Sequence, residues 1–235
     1  MTTRLMRPGS SIRYTKALDT VSPLIDGYPN FHWLMNDPER PQGALPRLEK
    51  GIDAPAAVVD AYDEVRRPLV SCRTSTHKAG TETTPWHDRY DPETGTITYF
   101  GDNKPGSMKP AADAPGNRRL IETAELHASD FESDRAVAPP VLAFSFGRKG
   151  VGTFLGVCVI DNITLVRQTA GDGGLFSNFK FELAVLDTGI VDPRWFDDRR
   201  DPWTSTEECM RHAPMAWRLW VEAGSEALEE LRAGY

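Results

Sequence analysis

Short β-strand patterns separated by turn signals fill the middle of the chain, and they are clearest at residues 91–100. The turn at 91–95 contains Pro92, whose ring fixes φ at about −65°, and Gly95, which tolerates positive φ. Residues 96–100 then alternate polar and apolar side chains, which is typical of a half-buried strand. The same criteria predict strands at residues 11–16, 69–74, 141–146, 153–160, 163–167 and 176–186.

Helical patterns lie on either side of these strands. Residues 52–67 predict a helix that Asp53 caps and Pro68 ends, and residues 117–128 predict a shorter helix with Asn117 at its cap. Ser205 and Glu208 match a capping box, and a further helix is expected over 214–232. Residues 192–203 are interpreted as a loop rich in aromatic side chains.

This order of elements predicts an α+β fold, a curled β-sheet or partial β-barrel flanked by helices. We divide the chain into an N-terminal extension (1–68) that carries the helix at about 52–67, a β-rich core (69–192) and a C-terminal helical segment (193–235).

Composition and charge narrow the class of protein. The 235 residues contain no apolar run near the roughly 20 residues of a membrane span, and the N-terminus lacks the apolar stretch of a secretory signal. Cys72, Cys158 and Cys209 are far apart and match neither a disulfide framework nor a metal-ligand spacing, so we expect a cytoplasmic location. The formal charge of −7 argues against a nucleic-acid partner. The segment 103–120 is nevertheless basic, since four cations there face one acid, Asp113.

The segment 73–109 carries the strongest candidate for a binding site. Tyr99, Phe100 and Asp102 lie close to Trp86 and Tyr90 in sequence. A nucleobase that leaves the duplex can stack between aromatic rings while a carboxylate accepts the N4 amino group of cytosine. The bland alternative is that one ring faces the core, because strand neighbours point to opposite faces, and that Asp102 with Asn103 only shapes a turn. Spacing alone favours the bland alternative.

Seven basic or imidazole side chains around this segment could contact phosphates. Each of them taken singly is more simply a solvated surface charge. The set comprises Arg73, His77, Lys78, Lys104, Lys109, Arg118 and Arg119.

The sequence was also compared with the motifs of metal-dependent, nucleophilic and phosphate-binding sites. His77, His87 and Asp88 could suggest a metal or general-base site, but no third ligand stands at a recognisable spacing. No nucleophile elbow or phosphate-binding glycine loop is present in the sequence. We therefore predict no catalytic residue, no bound metal and no cofactor.

Two blocks, 76–88 (THKAGTETTPWHD) and 97–104 (ITYFGDNK), resemble the N-terminal recognition domain of AspBHI-like restriction endonucleases. These enzymes depend on DNA modification, and their recognition domain has an SRA-like fold. Asn117-Arg118-Arg119-Leu120 is similar to the Asn-Arg-x-Leu of SRA proteins. The close resemblance covers about residues 69–109, and a looser one extends to about 192.

The resemblance implies that the chain flips a modified cytosine of double-stranded DNA into an aromatic pocket. It places the carboxylate that reads the base at Asp102, with Asp88 as its main rival, and the stacking rings at Tyr99 and, less directly, Trp86. Tyr90 and Asn103 complete the predicted pocket. In this family a nuclease domain follows the reader, so a nuclease domain or subunit is a candidate partner, as is a second copy of the chain.

Three other functions stay open on sequence alone. The first is a reader of another DNA mark, such as backbone phosphorothioate, as in McrA-type enzymes. The second is a metal-dependent nuclease that uses His77, His87 and Asp88. The third is an interaction module whose acidic, Trp-rich C-terminal helix docks another subunit.

Overall fold

A large mixed sheet organises the part of the chain that the computed structural model describes, which comprises residues 4–40, 44–75, 79–81, 85–148 and 150–234. The strands of this part are β1 (Ser11–Arg13), β2 (Leu24–Ile25), β3 (Tyr28–Pro29), β4 (Ile52–Asp53), β5 (Val58–Val59), β6 (Val65–Arg66), β7 (Val70–Ser75), β8 (Arg89–Asp91), β9 (Thr96–Phe100), β10 (Val141–Arg148), β11 (Val151–Thr169) and β12 (Leu175–Val185). Eight of them form one sheet in the order β4-β7-β10-β11-β12-β9-β8, with β1 also paired to β11.

Strands β10, β11 and β12 form the centre of the sheet. They pair antiparallel with one another, whereas β7 pairs parallel to β10. The sequence pattern predicts two strands at 153–160 and 163–167, but the structure has one strand of 19 residues, β11. The polar pair Asp161-Asn162 lies at a register shift in this strand, so it marks a β-bulge and not a break.

Helices cover the sheet on both faces. They are α1 (Phe31–Leu34), α2 (Pro115–His127), α3 (Glu132–Val137), α4 (Arg194–Arg200), α5 (Thr206–Cys209), α6 (Met215–Ala223) and α7 (Leu228–Leu231), with 3-10 turns at Ala111–Asp113 and Gly224–Ala227. None of the helices in the described residues has the length and apolar character needed to cross a membrane. The α+β class with a helix-flanked sheet is therefore confirmed. The sheet is not closed into a barrel within this part of the chain.

Two apolar clusters form the core, one on each face of the sheet. The larger packs the aromatic side chains of α4 and α6 against β10 and β11, and it includes Trp195, Trp217 and Trp220. The smaller packs Leu120 and Ala124 of α2 against strands β7, β9, β10, β11 and β12. Burial of these side chains supplies the main driving force for folding.

The N-terminal and C-terminal segments belong to this core. Strand β1 pairs with β11 and β4 pairs with β7, so residues before 68 contribute strands to the large sheet. Met6 and Leu228, from opposite ends of the chain, lie in the same apolar cluster. The amino-acid pattern changes at residues 68 and 192, but the segments on either side of these boundaries share one sheet and one apolar core.

The helix predicted at about 52–67 is wrong. This segment forms β4 and the β5–β6 hairpin instead. Asp63 in the hairpin turn has a φ of +63°, which a helix cannot contain, and the Asp60 carboxylate accepts backbone N–H groups from Tyr62 and Glu64. Arg66 then pairs with Asp60 in the interior, at 2.8 Å.

The loop predicted at 192–203 is also wrong in part, because Arg194–Arg200 forms α4. The charged residues of this segment suggested an exposed loop, but most of them are buried in the helix. Arg199 is fully buried and donates to the carbonyls of Pro68, Arg67, Ala136, Val137 and Ala138. The capping box of Ser205 and Glu208 and a helical C-terminal segment are confirmed.

Arg199 ties together three segments that are far apart in sequence. We predict that Arg199→Met lowers the free energy of unfolding by about 3–5 kcal/mol, because several buried carbonyls lose their donor at about 1–3 kcal/mol each. Urea denaturation measures this loss. Arg211→Met, at an exposed position, serves as the control and should change stability by under about 0.5 kcal/mol. Equal stability of the two variants would contradict the structural role.

Candidate functional site

The loop after β9 is joined to the first turn of α2 by reciprocal hydrogen bonds. Asp102 Oδ2 accepts from Gly116 N and Asp102 Oδ1 accepts from Asn117 N, both at 2.9 Å. Asp102 N in turn donates to Asn117 Oδ1 at 3.0 Å. The N-cap position, Ala114, has no side chain that can cap the helix, so Asp102 supplies the missing acceptor and places a negative charge at the positive end of the helix.

Asn117 extends this junction into the sheet. It is fully buried, and its Nδ2 donates to Ala111 O and to Asn178 Oδ1 on β12. Asn178 Nδ2 donates to Gly101 O, which closes a network between β9, β12 and α2. The sequence blocks YFGDNK and Asn-Arg-x-Leu, which the resemblance linked, therefore meet in space at this junction.

Tyr99 belongs to the smaller apolar cluster, on the face of the sheet that α2 covers. Its side chain is 4% exposed, and its hydroxyl donates to Gly51 O at 2.8 Å. Burial raises the pKa of this hydroxyl well above its usual value. In this conformation the ring of Tyr99 is covered by neighbouring side chains.

Trp86 forms a separate aromatic cluster at the end of the sheet. It packs against Phe176 with ring centroids 6.3 Å apart, and Phe100 and Ala170 complete the cluster. Phe100 follows Tyr99 on β9 and points to the opposite face, as the alternation of a strand requires. Trp86 and Tyr99 thus lie in different clusters.

Asp88 lies between these two clusters. Its Oδ1 accepts from Phe100 N at 2.9 Å, and the side chain of Thr74 also hydrogen-bonds to the carboxyl group. Burial is the largest cause of a pKa raised to about 6, which exceeds the lowering effect of these hydrogen bonds and of His87. Near neutral pH Asp88 is therefore a poorly solvated carboxylate.

The other predicted pocket residues take different positions. Asn103 is buried and donates from Nδ2 to Ser177 O at 2.8 Å, which fixes the loop after β9 against β12. Tyr90 is half-buried on β8 and packs against the α2-face cluster. The structure thus places Trp86 and Asp88 near each other, and Asp102 and Asn103 at the junction with α2 and β12.

Some of the side chains predicted to contact phosphates are held by contacts within the protein, and others are exposed to solvent. Arg73 Nη1 donates to Leu48 O, and its guanidinium lies 4.1 Å from the centre of the Phe146 ring. Arg118 and Arg119 pair with Asp113 and Glu122 at the surface. Lys104 and Lys109 are exposed. His77 and Lys78 lie outside the described residues.

No group of three or more His, Cys, Asp or Glu side chains in the described residues is arranged to hold a metal ion. His87 and Asp88 belong to this part of the chain, whereas His77 does not.

A model of the N-terminal domain of the restriction endonuclease AspBHI matches residues 66–231. The match covers well over half of the sequence. The chain belongs to this AspBHI N-terminal family. The resemblance found in the blocks 76–88 and 97–104 is thereby confirmed. No curated protein shows significant similarity to the chain.

Solved structures of restriction endonucleases are similar to this member of the AspBHI N-terminal family. MspJI in complex with a 27-mer oligonucleotide shares 36% identity and a TM-score of 0.89, over 99% of this chain and 55% of that chain. The chain thus spans about half of MspJI. AspBHI, a DNA modification-dependent enzyme, shares 25% identity and a TM-score of 0.56, over 72% of this chain and 75% of that chain.

The DNA-recognition domain of LpnPI, a cytosine modification-dependent enzyme, has a TM-score of 0.56 at 20% identity. The alignment covers 74% of each chain. At this identity the comparison supports the shared fold alone.

Sequence reasoning missed three contributors to this region. Phe176 completes the cluster of Trp86, and Asn178 links β9 to α2. Both lie on β12, more than 70 residues after Asp102. Thr74 hydrogen-bonds to Asp88 from β7. In the sequence, the signal available for Asn178 was the polar pair Ser177-Asn178 between Phe176 and Phe179, which interrupts the alternation of the strand.

Gly101 makes the close approach at the junction possible. A Cβ atom at this position would overlap Asn117 Oδ1, so we predict that Gly101→Ala destabilises this family member by about 1–3 kcal/mol. Thermal denaturation measures the effect. Gly147→Ala is the matched control, since a Cβ there has open space around it. Similar melting temperatures for both variants would contradict the packing at Gly101.

The raised pKa of Asp88 predicts a pH dependence of stability. Between its ordinary pKa near 3.8 and about 6, the folded chain binds the proton of Asp88 more tightly than the unfolded chain does. The free energy of unfolding of the wild type, relative to Asp88→Asn, should therefore fall by about 2 kcal/mol as the pH rises from about 4 to 7. Urea denaturation of both proteins across this range measures the difference. A constant difference would show that Asp88 titrates normally.

Proposed function

We propose that the chain binds double-stranded DNA that carries modified cytosine, either 5-methylcytosine or a 5-hydroxymethyl or glucosylated relative. The modified base leaves the duplex and enters a pocket beside Trp86 and Asp88. The chain acts as the recognition module of a modification-dependent restriction system, and cleavage is carried out by a nuclease domain or subunit. Membership of the AspBHI N-terminal family supports this role, as does similarity to MspJI, whose structure contains an oligonucleotide.

The carboxyl group of Asp88 is the observation that carries the proposal. Burial raises its pKa to about 6, so it is ionised near neutral pH at a partly buried position. The carboxyl group accepts from the backbone N–H of Phe100 and also hydrogen-bonds to the side chain of Thr74, whose hydroxyl can rotate away, and Trp86 lies in the cluster that contains Phe100. A carboxylate at the edge of an aromatic cluster suits a flipped cytosine, which offers an N4 amino donor and a flat ring.

The contacts favour Asp88 over Asp102 as the residue that reads the base. Both oxygens of Asp102 already accept backbone N–H groups of α2, so using them for a base would leave a helix end unsatisfied. The ring of Tyr99 is similarly committed to the core. We therefore assign Trp86 as a pocket wall, and Asp102 and Tyr99 as residues that position the site. Tyr90 and Asn103 support it from β8 and from the loop after β9.

DNA binding also requires contacts to phosphates. Lys104 and Lys109 lie in the loop that follows β9, and Arg118 and Arg119 lie in the first turns of α2. Both groups flank the junction of Asp102 and Asn117, next to the end of β9 that carries Phe100. His77, Lys78 and Arg73 belong to the segment that leads to Trp86 and complete the proposed set. A second copy of the chain remains a candidate partner in this proposal.

We predict that Asp88→Asn reduces the preference for modified over unmodified DNA by about tenfold. The asparagine keeps Oδ1 on Phe100 N–H, so its amide NH₂ replaces the second carboxylate oxygen and cannot accept from the N4 amino group. Loss of one good base contact costs about 1–3 kcal/mol of discrimination. Fluorescence titrations with matched modified and unmodified duplexes measure this preference.

Asp102→Asn is the matched control for this experiment. It should lower stability, since one of the two N–H groups on α2 loses its charged acceptor, while the folded protein keeps its preference for modified DNA. The opposite pattern, with preference lost in Asp102→Asn and kept in Asp88→Asn, would return the reading role to Asp102. Equal affinity of the wild type for both duplexes would refute base reading.

A further inference from the structure

A groove of about 910 Å³ lies beside the proposed pocket, between the loop after β9 and the hairpin of β11 and β12. The loop contributes Asn103 and the residues from Gly106 to Ala112. The hairpin contributes Leu165, Arg167, Leu175, Phe176, Ser177 and Phe179. Phe176 also packs against Trp86, so the groove and the aromatic cluster share a wall.

The charge of the groove differs from that of the whole protein. The chain carries a formal charge of −7, yet none of the described residues that line this groove has a carboxylate. Lys109 and Arg167 are the basic side chains among them, and neither forms an ion pair with another described residue. Arg167 was not among the cations that the sequence singled out.

A groove on the helical side of the molecule shows the contrast. Among its described lining residues are Glu64, Glu132, Glu207 and Glu222, together with Arg218. An adjoining groove adds Glu208 and Arg211. These two grooves are lined by five glutamates and two arginines, whereas the groove that holds Lys109 and Arg167 has no acidic side chain among its described lining residues.

Apolar side chains project at the rim of the basic groove. Met108 is 98% exposed, Leu165 is 62% exposed and Leu175 is 65% exposed. Such exposure is costly in water unless a partner covers the side chains. Deoxyribose rings offer apolar surface next to phosphate, so a DNA strand matches both the cations and the apolar rim.

We propose that this groove binds the sugar-phosphate backbone of the DNA next to the modified base. Lys109 and Arg167 contact phosphates, and Leu165, Leu175 and Met108 pack against the sugars. This inference rests on the proposed function, and it adds a second contact surface to the pocket. Asn103 holds the two sides of the groove together through its hydrogen bond to Ser177, so the cations are presented on a fixed frame.

Backbone contacts predict a defined salt dependence. Each phosphate neutralised on B-DNA contributes about 0.9 to the slope of log affinity against log salt. Replacing Lys109 and Arg167 with glutamine should therefore reduce the magnitude of this slope by about 1.8, equally for modified and unmodified duplexes. Fluorescence anisotropy across a salt series measures the slopes.

The control is the double variant Arg211→Gln with Arg218→Gln in the acidic grooves. It also removes two positive charges, so its net charge equals that of the Lys109 and Arg167 variant. We expect its slope to match the wild type. Thermal denaturation checks that both double variants remain folded.

The outcomes separate this proposal from the proposed function. An unchanged slope in the Lys109 and Arg167 variant, or an equal change in the control, overturns the groove as a backbone site even if Asp88→Asn abolishes base preference. A reduced slope supports the groove even if no preference for modified DNA is found. No binding of any duplex by the wild type at low salt overturns both.

Discussion

The mutual capping of Asp102 and Asn117 is the contact on which the geometry of the site depends. Helix α2 begins without a capping side chain of its own, so its free N–H groups require an acceptor from elsewhere. Asp102 supplies it from the end of β9. This requirement fixes where α2 starts relative to the sheet, and with it the loop 103–110. The approach is possible because residue 101 has no side chain.

Buried arginines serve a comparable purpose on the opposite face. Arg66 and Arg199 are buried, and most of their hydrogen bonds go to backbone carbonyls of distant segments. Burial lowers the pKa of Arg199 to about 10, so it stays charged near neutral pH, and its charge is satisfied by carbonyl dipoles. A planar guanidinium with five donors can join several irregular segments at once, which a lysine could not do.

The sequence predicted the features that depend on local pattern. Strands β7, β9, β10 and β12, both halves of β11 and the body of α2 follow from alternation and spacing, and the capping box at Ser205 follows from its residue types. Strand β8 was not predicted, and Asn117, the predicted cap of α2, lies inside the helix, whose N-cap is Ala114. The helix at 52–67 failed because positive φ at Asp63 and the buried pair of Arg66 with Asp60 override helical spacing. Helix α4 was missed because its charged residues are buried by partners, such as Pro68 and Ala138, that are far away in sequence. At the site, Trp86 and Asp88 could be nominated, but their partner Phe176 lies on a strand that no local pattern connects to them.

Asp102 and Asp88, the two carboxylates that the sequence suggested for base reading, differ in whether their hydrogen-bonding capacity is used by the fold. Asp102 accepts two backbone N–H groups from a helix start, and these contacts are part of the folded framework. Asp88 accepts one backbone N–H from a strand and a hydrogen bond from the Thr74 side chain, and it lies close to aromatic rings at the end of the sheet. Its raised pKa means that folding places the carboxylate where water solvates it poorly, which costs free energy. A ligand that donates hydrogen bonds to the carboxylate would offset this desolvation cost. A carboxylate held in this way binds a donor more tightly than a solvated one, because less water has to be displaced when the ligand enters.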